Sequence, residues 1–204
     1  MELNEELTAQ QSLDLITKTL NNSRRDITRD GGKYFILWGI LLAVFSLIVY
    51  ALWKSTGRAE WNFLWFAMPL VGYPLSAALK KRSESVPDNL VSELISKTWR
   101  IFAVFAISVS ALIMLSSFLI KDKLAGMFLS VSITPSILML FGISESFSGI
   151  LLKSPIVIAG GLVVGIGGLL VYYLSGLLVE QMLIFTFAGI VLALTGVLMK
   201  NQKN

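Results

Sequence analysis

Residues 34–53 read YFILWGILLAVFSLIVYALW, and this stretch decides the fold of the chain. It runs for about twenty residues without a charge, which is the length that an α-helix needs to cross the hydrocarbon core of a bilayer. Aromatic residues stand near both of its ends, and such amphipathic rings favour the headgroup level of a membrane. The stretch therefore predicts a membrane-spanning helix.

The composition extends this prediction to the whole chain. Of the 204 residues, 55% are hydrophobic and only 15% are charged, and the mean hydropathy is +0.74. These values are typical of a polytopic membrane protein. We predict an all-α bundle of six transmembrane helices that forms one domain over residues 33–204. The predicted spans are about 34–53, 61–79, 99–120, 124–152, 155–174 and 182–199.

Basic residues set the predicted orientation, because lysine and arginine flanks are retained in the cytoplasm. The segment before the first span carries more of them than the segment after it. We predict that both termini are cytoplasmic, and we attribute the net charge of +4 to this bias and not to nucleic-acid binding. Only four of the 17 basic residues then fall outside, and 13 fall inside; the four are Lys54, Arg58, Lys121 and Lys123.

Residues 1–32 predict a cytoplasmic amphipathic helix, which ends at Gly31 and Gly32. Its apolar residues recur at spacings of three, four and seven, which aligns them along one stripe. Either this helix rests on its own bundle or on the lipid surface, or it docks a cytosolic partner or a second copy of the chain. The residues of the stripe are Leu13, Ile16, Leu20 and Ile27.

The chain contains neither cysteine nor histidine. Thiol redox chemistry, disulfides, thiolate zinc sites and histidine-ligated metals are therefore excluded. The commonest general base near neutral pH is missing as well. We predict a protein that is not an enzyme and that has no cofactor and no metal site.

Prolines and glycines within the spans predict how the helices bend and pack. Proline removes a backbone donor and clashes with the preceding turn, so Pro69 and Pro74 in the second span and Pro135 in the fourth predict kinks. Small residues allow helices to approach closely in lipid. On this basis spans five and six are predicted as the close-packed or self-associating unit. The predicted packing residues are Gly161, Gly165, Gly168, Gly189 and Gly196.

Glu145 is the one carboxylate that the predicted spans place within the membrane. It precedes Lys153 by eight residues, which is about 12 Å along a helix from the inner turn. An ionised carboxylate at that depth is costly unless it is paired or hydrated, so such residues mark proton or cation sites. Alternatively, the fourth span ends near Ile143 and Glu145 meets water. The candidate intramembrane polar site comprises Glu145, Ser132, Ser136, Ser146 and Arg100, with Arg100 as the candidate partner of Glu145.

Two stretches carry a resemblance to a known family. They are GGKYFILWGILLAVFSLIVYALW at 31–53 and PSILMLFGISESFSGILLKSPIVIAGGLVVGIGGLLVYYL at 135–174. Together they resemble an uncharacterised family of six-span inner-membrane proteins from Bacteroidetes-type bacteria. Its proline–glycine–glycine–lysine pattern across spans four and five corresponds here to Pro135, Gly142, Gly149 and Lys153. The resemblance implies a bacterial inner membrane and no catalytic residues.

These observations lead to two functional hypotheses. The first is a non-enzymatic integral membrane protein that engages a partner through its cytoplasmic face, with residues 1–32 as the contact. The second is a small secondary transporter or permease that uses Glu145 as an intramembrane carboxylate. Membrane lipid and further copies of the chain are the other expected partners.

Overall fold

The computed structural model of the chain describes residues 8–82, 90–174 and 179–201, and all regular structure in these residues is helical. The predicted all-α class is confirmed. A 3₁₀ segment, Ala59–Phe66, precedes the second α-helix, and another, Gly168–Leu174, follows the fifth. The α-helices are α1 (Ala9–Thr56), α2 (Ala67–Arg82), α3 (Leu90–Leu119), α4 (Lys123–Leu152), α5 (Pro155–Gly167) and α6 (Gln181–Asn201).

Six helical stretches of the described residues are long and apolar enough to cross a membrane, as the sequence predicts. The third begins earlier than predicted, at Leu90 rather than near residue 99. Its first turns remain helical because Val91 is buried and Ile95 packs against the hydrophobic core. The six stretches are Asp30–Thr56, Ala59–Lys80, Leu90–Ile113, Val131–Leu152, Pro155–Tyr173 and Gln181–Asn201.

Helix α1 is longer than predicted, because it passes through Gly31 and Gly32 without a break. Its 48 residues span about 72 Å at 1.5 Å per residue. The expected helix end at these glycines is therefore wrong. A Cβ on residue 32 would lie 2.6 Å from the Gly196 carbonyl oxygen, so the close approach of α6 accounts for Gly32.

The bundle is built from two closely packed helix pairs, each with a seam of glycines. In the first, α1 runs antiparallel to α6, since Gly32 faces Gly196 and Gly39 faces Gly189. In the second, α4 and α5 form a hairpin whose turn places Lys153 in the left-handed region, with φ of 54°. The two pairs meet where α5 contacts α6, while α2 packs on α1 and α3 packs on α4.

The three prolines in the second and fourth spans occupy different positions in their helices. Pro69 lies in the first turn of α2, after the 3₁₀ segment, where a missing N–H leaves no hydrogen bond unmade. Pro74 lies inside α2. Pro135 is buried inside α4, which remains one helix over 30 residues.

The outer surface of the bundle is apolar, above all along α3. Large side chains such as Ile101, Val104 and Phe105 are exposed there, while Trp99 and Phe102 pack inward against Phe141 of α4. An apolar surface of this extent is unfavourable in water but is covered by lipid in a membrane. It supports the assignment of the chain as a multi-pass membrane protein.

Candidate functional site

Glu145 is completely buried in the protein, with an exposed fraction of 0%. It lies on α4 between Gly142 and Gly149, the two glycines that bring α4 against α5. The helix does not end near Ile143 but continues to Leu152. Of the two alternatives drawn from the sequence, the structure therefore agrees with the buried carboxylate and not with the hydrated one.

Three helices converge on the Glu145 carboxylate. A Cβ on Gly160 of α5 would lie 2.7 Å from Glu145 Oε1, and it would meet the Oγ1 atom of Thr195 from α6 even more closely. Thr195 is itself buried, with 3% of its surface exposed. Glycine at position 160 thus leaves the space in which the carboxylate and the threonine hydroxyl approach each other.

Neither carboxylate oxygen of Glu145 has a hydrogen-bond partner of standard geometry among the described residues, although the Thr195 hydroxyl lies close enough to interact with the carboxyl group. None of the salt bridges between described residues involves Glu145 either. A buried charge without a partner is costly, and proteins neutralise such a group with a proton, a cation or a paired side chain. A proton on the carboxyl group would meet this requirement, and so would a bound cation.

The serines around Glu145 use their hydroxyls elsewhere. Ser144 Oγ donates to the Leu140 carbonyl at 2.9 Å, and Ser148 Oγ donates to the Ser144 carbonyl at 2.8 Å. Ser146, which the sequence analysis includes in the site, donates to the carbonyl oxygen of Ile158 in α5 at 3.3 Å. These bonds secure α4 and the α4–α5 contact without stabilising the carboxylate.

The other predicted members of the polar site are not gathered around Glu145. Ser132 and Ser136 are half-buried on α4, but they precede Glu145 by about 20 and about 13 Å along the helix. Arg100 is exposed on α3, where its Nε donates to the Ser96 carbonyl at 3.5 Å. It is the neighbouring Trp99 that faces α4, so the structure gives no pairing of Arg100 with Glu145.

A groove of about 320 Å³ lies between α5 and α6, directly in front of the Glu145 site. Its lining includes Gly160 and Thr195, the two residues that lie next to the Glu145 carboxylate. The remaining lining side chains are all apolar, so Thr195 is the one polar residue of the lining. They are Ile156, Ala159, Val163, Val191, Leu194 and Leu198.

The five predicted packing glycines contact other helices than the sequence led us to expect, which was a contact between spans five and six. Gly161 and Gly165 of α5 face Gly142 of α4, and Gly168 faces Leu138 of α4. On α6, Gly189 and Gly196 face α1 instead of α5. These five predicted packing glycines are thus occupied by contacts to the fourth and the first spans.

Two buried polar contacts were not foreseen from the sequence. Ser46 of α1 and Thr186 of α6 share a hydrogen bond of 2.7 Å, and Thr134 donates to Gln181 Oε1 at 3.2 Å. The contact of Ser46 could have been predicted from its spacing, because it stands one heptad after Gly39 in an otherwise apolar span. The buried position of Thr195 could have been predicted because it stands next to Gly196, a predicted packing residue.

The described residues contain no group of three or more acidic side chains that could hold a metal ion. Comparisons of the chain with protein-family models, with curated proteins and with solved structures gave no match.

Proposed function

We propose that this chain is a non-enzymatic integral membrane protein that engages a partner through the helical arm formed by residues 9–29. The arm is the part of α1 that precedes the first membrane-spanning stretch, and it extends for about 30 Å. Its start is encoded by a capping box, in which Thr8 Oγ1 accepts from the Gln11 N–H and Gln11 Oε1 accepts from the Thr8 N–H.

The observation that supports this function best is the exposed apolar surface of the arm. Leu13 and Ile16 are 65% and 57% exposed. A helix of this length gains little stability on its own in water, and an exposed apolar stripe marks a contact surface. Because α1 passes from the span into the arm without a break, the arm continues in the direction of the span.

The partner that we propose for the arm is a second copy of the chain. The spacings between Leu13, Ile16 and Leu20 are those of coiled-coil a and d positions. The flanking positions hold Thr17 and Thr19, which carry no charge, so two identical arms meet without repulsion beside this seam. Two copies in one membrane share an orientation, which favours a parallel pair.

We further propose an inner-membrane location with both termini in the cytoplasm. The lysine and arginine bias supports this orientation, and so does the antiparallel pairing of the first and last helices, which brings Gly32 beside Gly196. To test it, Thr8→Cys and Arg58→Cys are labelled in intact cells with an impermeant maleimide. The cysteine at 58 should react and the cysteine at 8 should not; the reverse pattern would overturn the orientation.

Cysteine cross-linking tests the arm directly, because the chain has no cysteine of its own. Leu13→Cys and Ile16→Cys should give disulfide-linked dimers in membranes, since these positions lie on the stripe. Asp14→Cys and Lys18→Cys, on neighbouring faces of the same arm, serve as matched controls and should remain monomeric. Equal cross-linking at all four positions, or none at 13 and 16, would contradict pairing between copies and leave a different protein as the partner.

Transport is a second candidate function, and the buried and unpartnered carboxylate of Glu145 favours it. A carboxylate in such a place exchanges protons or cations when a pathway reaches it. Proteoliposomes that contain a trapped pH indicator would detect proton movement after an imposed gradient. A flux that is lost in Glu145→Gln would establish this function, whereas equal rates in the two proteins and in empty liposomes would remove it.

A further inference from the structure

The groove between α5 and α6 combines features that are unusual on a lipid-facing surface. Its walls are apolar, and side chains such as Val163 and Leu194 are about half exposed. One hydroxyl, that of Thr195, belongs to its lining. A lipid tail alone would need no such polar group, so the groove has the composition of a ligand site in which a few polar atoms fix the orientation.

The Glu145 carboxylate lies next to Gly160 and Thr195, two residues that line this groove. Its Oε1 lies 2.7 Å from the point where a Cβ of Gly160 would stand, and Gly160 lines the groove. The carboxylate is fully buried, and neither of its oxygens has a hydrogen-bond partner of standard geometry among the described residues. A buried acidic group therefore lies directly beside the lining of the groove, at Gly160 and Thr195.

We propose that the α5–α6 groove binds a lipophilic amine from the membrane, with its ammonium group at Glu145 and Thr195 and its hydrocarbon part along the apolar walls. The ammonium group supplies both a positive charge and N–H donors, which the carboxylate lacks. This inference concerns binding alone. It depends neither on pairing of the arms nor on transport.

Other membrane components satisfy the site less well. An anionic headgroup would be repelled by the ionised form of the carboxyl group, and a neutral alcohol would bring no positive charge to stabilise that form. A phospholipid with two acyl chains exceeds a groove of about 320 Å³. A single-chain or compact amine meets the requirements of size, charge and polarity together.

Equilibrium binding of radiolabelled octylamine to the full chain in phosphatidylcholine nanodiscs tests the proposal, with octanol as the uncharged competitor of similar size. Octylamine should bind saturably at about one molecule per chain, and octanol should compete poorly. Glu145→Gln should weaken binding by about tenfold or more, because hydrogen bonds to a charged group are the strongest available. Thr195→Val, which keeps the shape of the side chain, should have a smaller effect in the same direction.

Two further variants keep the test decisive if Glu145→Gln is poorly folded. Val163→Trp fills the groove from its lipid-exposed wall, leaves Glu145 in place and should abolish binding. Gly167→Ala, on the same helix, meets only the Phe187 ring at 3.8 Å and should bind as the wild type does. Equal competition by octanol, unchanged binding in both Glu145→Gln and Val163→Trp, or no saturable binding to the wild type would each overturn the proposal.

Discussion

Gly39 of α1 and Gly189 of α6 are in reciprocal backbone contact. A Cβ on residue 39 would lie 2.6 Å from the Gly189 carbonyl oxygen, and a Cβ on residue 189 would lie 2.6 Å from the Gly39 carbonyl oxygen. One heptad away, Gly32 and Gly196 repeat the relationship. Because lipid provides little hydrophobic force between helices, such close approach is a main source of their attraction. This seam holds the first and the last helix together.

Gly39→Ala should destabilise the bundle, because the new methyl group would lie 2.5 Å from the Ala193 nitrogen, a backbone atom that cannot rotate away. Overpacking of this kind costs about 1–3 kcal/mol. Thermal unfolding of the detergent-solubilised protein, followed by tryptophan fluorescence, measures the loss. Gly126→Ala in α4 is the matched control, since nothing lies within 4 Å of its Cβ position. Equal midpoints for the two variants would contradict the seam.

The hydrogen bond between Ser46 and Thr186 should contribute a modest amount to the same helix pair. Ser46→Ala should lower stability by about 0.5–1 kcal/mol, as is usual for hydrogen bonds between helices in membranes. The loss stays small because Thr186 Oγ1 is also within reach of the Met182 carbonyl at 3.2 Å. A double-mutant cycle with Thr186→Val isolates the pair. Additive single effects would show that the contact contributes nothing. Ser116→Ala, whose hydroxyl donates to the Leu112 carbonyl of its own helix, provides the baseline.

The six spans could be predicted because each of them must be apolar over its own length, whatever the other helices do. Each span must supply about twenty apolar residues, and this requirement is visible in the sequence alone. The arm was predicted as a helix for a similar reason, from the spacing of Leu13 and Ile16. Its continuity with the first span was missed, because two adjacent glycines at 31 and 32 usually indicate the end of a helix. Only the structure shows that Gly32 lies there to admit helix α6.

The candidate site could be predicted only in part, because helix pairing depends on which faces meet. Glu145 was identified by its isolation among apolar residues. Arg100 was expected nearby because of its similar depth, but adjacent residues point about 100° apart on a helix, and it is Trp99 that faces α4. The groups that do converge on Glu145, Gly160 and Thr195, belong to two other helices, and nothing in the sequence links them to it.

Two glycines and a lysine close the α4–α5 hairpin. Gly142 and Gly149 are the α4 residues that admit the backbone of α5, and Lys153 forms the turn between the two helices. Pro135 is buried farther along α4. Glu145 lies between the two glycines of this hairpin.

Trp99 should be the residue that docks α3 on the rest of the bundle. Its indole makes edge contacts with Phe35 of α1, Phe102 of α3 and Phe141 of α4, with ring centroids 6.2, 5.6 and 5.3 Å apart. Such pairs are worth about 0.5–1.5 kcal/mol each beyond the area they bury.

Trp99→Leu should therefore lower the free energy of unfolding by about 1–3 kcal/mol, since two of the contacts join α3 to other helices. Denaturation in a series of sodium dodecyl sulfate concentrations measures this change. Phe105→Leu, an exposed aromatic position on the same helix, should leave stability unchanged. A comparable loss in both variants would mean that the ring contacts of Trp99 have no special role.

Glu145→Met should stabilise the purified protein in the absence of added amines. Methionine has a similar shape and no polar atoms that need hydrogen bonds, whereas the buried carboxyl group has no partner of standard geometry for either oxygen among the described residues. Removing an unpartnered polar group from a protein interior gains about 1–3 kcal/mol. Glu145→Ala removes the same group but leaves a void between α4, α5 and α6, so it should unfold at a lower temperature than Glu145→Met. If Glu145→Met were instead less stable than the wild type, this prediction would be wrong, and the carboxyl group would make stabilising contacts in the folded protein.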